Sequence, residues 1–187
     1  MRSIKALAPA RIKWAIELLE LETKHNVFEI GYGSGVAAQH ICAKLGRGTY
    51  QGVDQSAAAA QAALARNSAY ARGGRAIFEH GAFHAEAHEP ALFDRVLAVN
   101  VNAFWTDGGQ AARDVRRLMH NKSRCVLVFQ PPEKADRAKI ARAVKKRLAP
   151  YFGEVRSQMR TIGGASLVAI TASVAAPRAT QLKRKAA

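Results

Sequence analysis

Apolar and polar residues alternate along the chain with two periods, and these periods predict strands that alternate with helices. Residues 10–23 carry apolar side chains at helical spacing, with Ile12, Ala15, Ile16 and Leu19 on one face. Short apolar runs that stop at polar or glycine residues predict buried strands at about 27–30, 50–53, 75–79, 95–99 and 124–129. Helical patterns between and after these runs predict helices at about 36–45, 57–72, 109–119 and 133–149.

The last two apolar segments, 154–162 and 165–174, are joined by Gly163-Gly164, which predicts an antiparallel hairpin. Five strand–helix units followed by a hairpin favour an α/β fold: a doubly wound, mostly parallel seven-stranded sheet with a C-terminal antiparallel pair. The sequence predicts one domain over 1–175. The basic segment 176–187 lacks apolar periodicity, and we expect it to be disordered.

Composition agrees with a single globular domain. The chain has 187 residues, of which 49% are hydrophobic and 23% charged. No apolar run is long enough for a membrane span or a secretory signal, so we expect a cytoplasmic protein with no membrane span. Cys42 and Cys125 each lie in an apolar pattern without a nearby cysteine, so we expect buried thiols and no metal site.

The formal net charge of +15 is the compositional feature that bears on a possible partner. Residues 133–150 carry seven basic and two acidic side chains, and four more basic residues follow Pro177. Two interpretations stay open: a solvated basic surface, which we favour, and a nucleic-acid partner. Neither segment is interleaved with aromatic residues, which binding of single strands would favour.

The candidate chemistry lies where predicted strands end. Four strand ends carry suggestive residues: Gly31 to Gly35, Asp54-Gln55, Gly81-Ala82-Phe83, and Asn100-Val101-Asn102. Ligands of open parallel sheets bind outside the carboxyl ends of the strands, so we expect all four groups to line one edge.

The glycine-rich turn Glu29-Ile-Gly-Tyr-Gly-Ser-Gly35 predicts close approach of the backbone to a ligand, since glycine has no Cβ. The helix that follows points its free N–H groups at the same space. A dinucleotide fingerprint G-x-G-x-x-G would need glycine at position 36, which is Val36. Asp54, at the end of the second strand, can accept hydrogen bonds from ribose hydroxyls.

With these motifs the sequence resembles the class I S-adenosylmethionine-dependent methyltransferases, in particular small bacterial enzymes related to the ubiquinone and menaquinone methyltransferases. The resemblance covers about residues 10–175, and its most specific part is EIGYGSG followed by GVDQS. Weaker matches are WAIELLEL, FDRVLAVNVNAFWTD and VRRLMHNKSRCVLVFQPP. The resemblance implies a Rossmann-like methyltransferase fold, S-adenosylmethionine as cofactor and S-adenosylhomocysteine as product.

The resemblance also implies roles for individual residues. Glu29 and the turn through Gly31, Tyr32, Gly33 and Gly35 would hold the methionine end of the cofactor. Asp54 would hold the ribose, Gln55, Gly81, Ala82 and Phe83 would surround the adenine, and Asn100 and Val101 would border the methionine moiety. Many relatives have an acidic residue at the position of Ala82, so a backbone carbonyl or Gln55 must replace its contact with the adenine amino group.

The methyl acceptor is less defined. The leading hypothesis is a small molecule methylated at oxygen, nitrogen or carbon, with a pocket bordered by Asn100, Asn102, Trp105, Asp107 and Gln130. We identify no catalytic base. His80, His84 and His88 lie four apart, but Gly81 and Pro90 argue against a helix, and we interpret them as exposed loop residues.

Two rival functions remain at this point. The chain reads Asn100-Val101-Asn102-Ala103 where base-amino methyltransferases carry an Asn/Asp-Pro-Pro-Tyr/Phe motif, which argues against that class but leaves other RNA acceptors open. A non-catalytic module that binds S-adenosylmethionine is the third hypothesis. The oligomeric state is not predicted.

Overall fold

The computed structural model describes residues 8–90 and 92–174. Seven strands form one sheet in the order β3-β2-β1-β4-β5-β7-β6, in which β7 is antiparallel to both neighbours and the other pairs are parallel. The predicted fold class is therefore confirmed. The strands are β1 Val27–Ile30, β2 Tyr50–Asp54, β3 Ala76–His80, β4 Phe93–Val99, β5 Met119–Phe129, β6 Glu154–Ile162 and β7 Ala165–Ser173.

Helices cover both faces of the sheet. They are α1 Ala10–Leu19, α2 Val36–Lys44, α3 Ala57–Arg66, α4 Ser68–Arg72, α5 Ala103–Thr106, α6 Gln110–Leu118 and α7 Asp136–Leu148. The apolar residues of α1 and α2 pack into one core with Leu97, Val126 and Val128. Those of α5, α6 and α7 pack into a second core with Phe28, Val96 and Leu127. Successive residues of a strand point to opposite faces, so the central strands are buried on both sides, as a parallel sheet requires.

The chain leaves the ends of β1, β3 and β4 with hydrogen bonds that extend the sheet by one residue. The N–H of Gly31 donates to Val53 O at 2.8 Å, that of Gly81 to Asp54 O at 2.9 Å, and that of Asn100 to Val128 O at 2.8 Å. These bonds bring three of the four predicted strand-end groups to one edge of the sheet.

Helix boundaries differ from the prediction where buried polar side chains intervene. The first helix ends at Leu19 rather than residue 23, because Arg95 donates from its side chain to Leu19 O and Glu20 O and so binds the last carbonyls. The predicted helix 57–72 is two helices, because the side chain of buried Asn67 donates to Gly35 O and Ala63 O at the junction.

Other boundaries also differ. Strand β5 begins at Met119 rather than about 124, and α7 begins at Asp136 rather than 133. The short helix α5 was not predicted, since four residues are too few for periodicity to show.

Core predictions are confirmed. Cys42 and Cys125 are buried and unpaired, and burial raises the pKa of both thiols, that of Cys42 to about 12. In the described ranges no helix has both the length and the apolar character needed to cross a membrane. The segment 176–187, for which we predicted disorder, lies outside the described residues.

Candidate functional site

The three glycines of the turn after β1 have positive φ angles but different neighbours. A Cβ on Gly31 would lie 2.8 Å from the Val101 side chain, and one on Gly35 would lie 2.9 Å from Ala63 of α3. Gly33, at φ +53°, has open space on that side, with no atom within 4 Å. Gly35 is therefore needed for packing and Gly31 for the close approach of the loop after β4, whereas Gly33 borders free space.

Asp54 joins this turn to the second strand. One carboxylate oxygen accepts from the N–H of Gly33 at 2.8 Å and the other from the N–H of Ser56 at 2.9 Å. A carboxylate oxygen has two lone pairs, so each keeps capacity for a further donor such as a ribose hydroxyl. Ser56 caps α3, since its hydroxyl accepts from the N–H of Ala59.

A cavity of about 340 Å³ lies at the carboxyl edge of the sheet over the ends of β1, β2, β3 and β4. It brings together seven of the residues predicted to bind the cofactor: Gly31, Asp54, Gln55, Gly81, Phe83, Asn100 and Val101. These residues come from four separate strand ends, so their convergence is a property of the fold and not of one motif.

A second cavity of about 170 Å³ adjoins the glycine turn. The predicted residues Glu29, Gly31, Tyr32 and Gly33 line it together with Pro9, Arg11 and Ile12 at the start of α1. The hydroxyl of Tyr32 donates to Glu79 O at 2.8 Å, which anchors the turn to β3.

Glu29 is fully buried in the wall of this second cavity. Its carboxyl accepts a hydrogen bond from the Tyr50 hydroxyl at 2.7 Å. Burial raises the pKa of Glu29 to about 8, with the negative charge of Asp54 adding to the increase and the Tyr50 hydrogen bond opposing it. The carboxyl is therefore mostly protonated at neutral pH and does not supply a fixed negative charge to the cavity.

A third cavity, of about 320 Å³, lies between α5 and the start of α7. Its wall has apolar and amide side chains with one acid and one base, namely Asn100, Asn102, Trp105, Phe129, Gln130, Pro131, Pro132, Asp136, Lys139 and Ile140. Four of the five residues predicted to border the acceptor lie here, and Asp107 does not. No histidine, cysteine or tyrosine of the described chain lines it.

Asn100 is shared by all three cavities. Its φ of 59° lies in the left-handed region, which asparagine tolerates better than most residues. The side-chain oxygen accepts from the N–H of Gln130 at 2.8 Å, so the loops after β4 and β5 are held together here. Strained backbone of this kind concentrates at functional sites.

Ala82 does not line the cavity over the strand ends. It lines a neighbouring cavity of about 230 Å³ together with Gln55, Phe83, Asp107, Gln110 and Asp114. Both oxygens of Asp107 accept backbone N–H groups of α6 and the residue before it. Asp107 and Asp114 thus place carboxylates in the cavity that Ala82 lines.

One of the three histidines that we predicted to be exposed is buried. His80 and His84 are exposed as predicted, but the His88 side chain is only 4% exposed and packs edge-on against Phe28, with a ring-centroid distance of 4.7 Å. The aromatic pocket around Phe28, Phe83 and Phe93 accounts for its burial. Within the described ranges no group of histidine, cysteine and acidic residues could hold a metal ion.

Sequence reasoning missed the contribution of Pro9, Arg11, Ile12 and Val99 to the cavities. A signal existed for Arg11, since α1 was predicted to precede β1 directly, and a residue at the start of such a helix lies near the glycine turn. Its guanidinium donates to Gln130 Oε1 at 3.1 Å, a contact between residues 119 positions apart that no local pattern could indicate.

A family model described as a methyltransferase domain matches residues 28–125, slightly more than half of the chain. An uncharacterized methyltransferase of Bacillus subtilis, YdaC, is 23% identical over 121 residues, and the match covers 65% of this chain and 65% of that relative. The chain therefore spans somewhat less than two thirds of the relative's length.

Solved structures share the fold at low sequence identity. A geranyl diphosphate methyltransferase in complex with GPP and sinefungin has a TM-score of 0.68 at 14% identity, covering 88% of this chain and 76% of that one. A SAM-dependent O-methyltransferase from Thermotoga maritima has a TM-score of 0.70 at 11% identity, covering 92% and 67%.

Proposed function

The chain belongs to the class I S-adenosylmethionine-dependent methyltransferases, and on that premise we propose that it transfers a methyl group to a small-molecule acceptor at oxygen, nitrogen or carbon. The observation that carries the proposal is the shared position of Asn100. This residue borders both the cavity over the strand ends and the cavity between α5 and α7, so two ligands bound there would meet at its side.

The residues at hand fit the cofactor. When bound, S-adenosylmethionine supplies a sulfonium methyl group that is open to displacement by a nucleophile. The Asp54 carboxylate would bind the ribose, and the open side of Gly33 would admit the ligand against the N-terminus of α2. Gln55 and Phe83 would flank the adenine, while Asn100 and Val101 would border the methionine moiety.

The acceptor side would act by orientation and by exclusion of water. About 320 Å³ is near the lower end of the range for small-molecule sites, and the apolar wall of Trp105, Phe129 and Ile140 favours an acceptor with an apolar part. Asp136 and Lys139 are the titratable residues in that wall, so we expect an acceptor that is nucleophilic without a histidine base. In-line displacement and a cytoplasmic location stay predictions.

Calorimetry and turnover test the proposal together. We expect S-adenosylmethionine and S-adenosylhomocysteine to bind, and Gly33→Val and Asp54→Ala to abolish or weaken binding. A methyl-donor assay against a metabolite pool should then give a product. Binding without any product would favour the non-catalytic module, and absence of binding to the wild type would reject the proposal.

RNA is the second candidate acceptor, because the charge is unevenly distributed. Residues 8–90 carry eight basic and eight acidic side chains, whereas residues 92–174 carry fifteen and six. Helix α7 contributes six basic residues, none of which lies within 4 Å of a carboxylate in the described chain. Lys139, Arg142 and Lys146 lie on one stripe of the helix, and Lys139 also lines the acceptor cavity.

Titration with a structured RNA across a salt series separates the two candidates. Phosphate-driven binding should weaken steeply with salt, and replacing Lys139, Arg142 and Lys146 by glutamine should lower the log–log slope by about 2–3. The triple variant Lys13→Gln, Lys44→Gln, Arg47→Gln removes the same charge from the other half and should change the slope less. A slope near zero for the wild type would eliminate RNA.

A further inference from the structure

Three amide side chains line the cavity between α5 and the start of α7, those of Asn100, Asn102 and Gln130. In each of them the oxygen already accepts a hydrogen bond from the protein. Asn100 Oδ1 accepts from the backbone N–H of Gln130 at 2.8 Å. Asn102 Oδ1 accepts from the indole N–H of Trp105 at 3.3 Å, and Gln130 Oε1 accepts from the guanidinium of Arg11 at 3.1 Å. The three amide oxygens are therefore all engaged within the protein.

The chemistry of these partners decides which end of each amide remains available to a ligand. A backbone N–H, an indole N–H and a guanidinium can only donate, so the atom that each of them contacts must be the amide oxygen and not the nitrogen. Across residues 8–90 and 92–174 the three NH₂ groups have no hydrogen-bond partner in the protein. The amides of this wall therefore favour a ligand that accepts hydrogen bonds.

Lys139 adds a positive charge to the same wall. Its ammonium makes no ion pair within 4 Å in the part of the chain that the structure describes. Asp136, the other charged residue of the wall, is the first residue of α7, where the free N–H groups of a helix terminus stabilise a carboxylate. Helix α7 carries six basic residues against this one acid, so the balance of charge beside the cavity favours an anionic ligand.

The wall also limits which nucleophiles can react in it. No histidine, cysteine or tyrosine of the described residues lines the cavity, so none of the usual bases is at hand. A hydroxyl or an ammonium group must lose a proton before or during attack on a methyl group. A carboxylate is already ionised at neutral pH, so it needs no base.

We propose that the methyl acceptor is a carboxylate with an apolar body and that the product is its methyl ester. The inference rests on the proposed function for the methyl donor. Lys139 and the free amide NH₂ groups bind the carboxylate, and the side chains of Trp105, Phe129 and Ile140 contact the apolar body. One carboxylate oxygen forms the bond to the methyl carbon, the carbon–sulfur bond breaks, and its electron pair stays on sulfur. No proton is transferred.

Three probes with chains of equal length, hexanoate, hexanamide and hexylamine, separate the classes of charge. Calorimetry in the presence of S-adenosylhomocysteine would measure their binding to the wild type, Lys139→Gln and Asp136→Asn. Lys145→Gln is the matched control, because it removes one positive charge from an exposed position of α7 that does not line the cavity. Thermal denaturation of each variant would report on folding.

We expect hexanoate to bind more tightly than either of the other probes. Lys139→Gln should weaken hexanoate by about fivefold and change hexanamide by less than about twofold. Asp136→Asn should strengthen hexanoate by about two- to threefold, because it removes the negative charge of the wall. Lys145→Gln should alter no probe by more than about twofold. Tighter binding of hexylamine than of hexanoate, or a hexanoate affinity that does not respond to Lys139→Gln, would overturn the proposal.

Turnover with a methyl-labelled donor gives a second readout. In a panel of carboxylates, phenols and amines with apolar bodies, label should enter the carboxylates, and mild alkali should release it as methanol, since the ester is the hydrolysable product among these classes. Label that enters only phenols or amines would overturn this inference and leave the proposed function standing. If the wild type does not bind S-adenosylhomocysteine, the proposed function itself fails and the inference fails with it.

Discussion

The two halves of the described chain differ in charge although they share one sheet. Residues 8–90, which contain β1 to β3 and the glycine turn, carry equal numbers of acidic and basic side chains, whereas residues 92–174 carry nine more basic than acidic ones. The first half supplies most of the wall of the cavity over the strand ends, and the second half supplies the whole wall of the cavity between α5 and α7. A cofactor with one anionic and two cationic groups needs no strong net field around it. The excess of positive charge lies in the half of the chain that lines the cavity between α5 and α7.

The glycine turn gives the largest expected effect in this comparison. Gly33→Val should abolish binding of S-adenosylhomocysteine, with a loss of at least about 100-fold, because the side chain would fill the open space beside Asp54. Gly163→Val is its matched control: φ is +55° against +53°, and an added Cβ would have no atom within 4 Å at either glycine. Calorimetry and thermal denaturation of both should give similar losses of stability, about 1–2 kcal/mol, but loss of binding only for Gly33→Val. If Gly33→Val and Gly163→Val bound S-adenosylhomocysteine with similar affinity, the glycine turn would not be part of the cofactor site.

Asp54→Ala should have the next largest effect. Removing a charged acceptor from a partly buried site should weaken S-adenosylhomocysteine by about 10–100-fold. Ser56→Ala removes the neighbouring cap of α3 and should cost about 1 kcal/mol of stability without altering affinity. Calorimetry on the pair separates ribose binding from local structure, and equal affinities for the two variants would assign Asp54 to the turn alone.

The buried carboxyl of Glu29 in the first half should make the stability of the protein depend on pH. Burial raises the pKa of Glu29 from the ordinary glutamate value of 4.5 to about 8, so the folded protein keeps a proton that the unfolded chain releases. Stability should therefore fall as pH rises from about 4.5 to about 8. Glu29→Gln has no such proton, and its melting temperature should fall less across that interval, by about 3 °C or more. The exposed Glu17→Gln should behave like the wild type, and parallel profiles for Glu29→Gln and the wild type would show that Glu29 is ionised.

The smallest expected effect concerns the basic helix of the second half. Arg142 lies at i,i+3 or i,i+4 spacing from Lys139, Lys145 and Lys146, so like charges repel along α7. Arg142→Glu should stabilise the protein by about 0.5–1 kcal/mol, and Arg142→Gln by less. Chemical denaturation measures both. A loss of stability in Arg142→Glu would indicate that the arginine makes a structural contact. It would also indicate that repulsion among the basic residues of α7 does not destabilise the fold.

Most of the fold followed from the sequence because its elements are defined by local patterns. Short buried strands, the glycine turn and the hairpin at Gly163-Gly164 each carry their own signal, and the right-handed crossover rule orders them. The early end of α1 and the break at Asn67 could not be predicted, since both depend on side chains that reach carbonyls about 30 to 75 residues away.

The candidate site was predictable only in part for a similar reason. Residues that follow strands converge by topology, and seven of those predicted line one cavity. The contribution of Arg11 depends on where α1 crosses the sheet, and the neutral state of Glu29 depends on burial against Tyr50. Neither property is written in the spacing of residues around them.

Hydrogen exchange with and without S-adenosylhomocysteine tests whether the donor binds at the ends of β1 to β4 while α7 faces the acceptor, as we propose. Peptides that contain Gly33, Asp54, Gly81 and Asn100 should gain protection, whereas the peptide that spans α7 should exchange unchanged. Protection confined to α7, or none in the strand-end peptides at saturating ligand, would contradict the account.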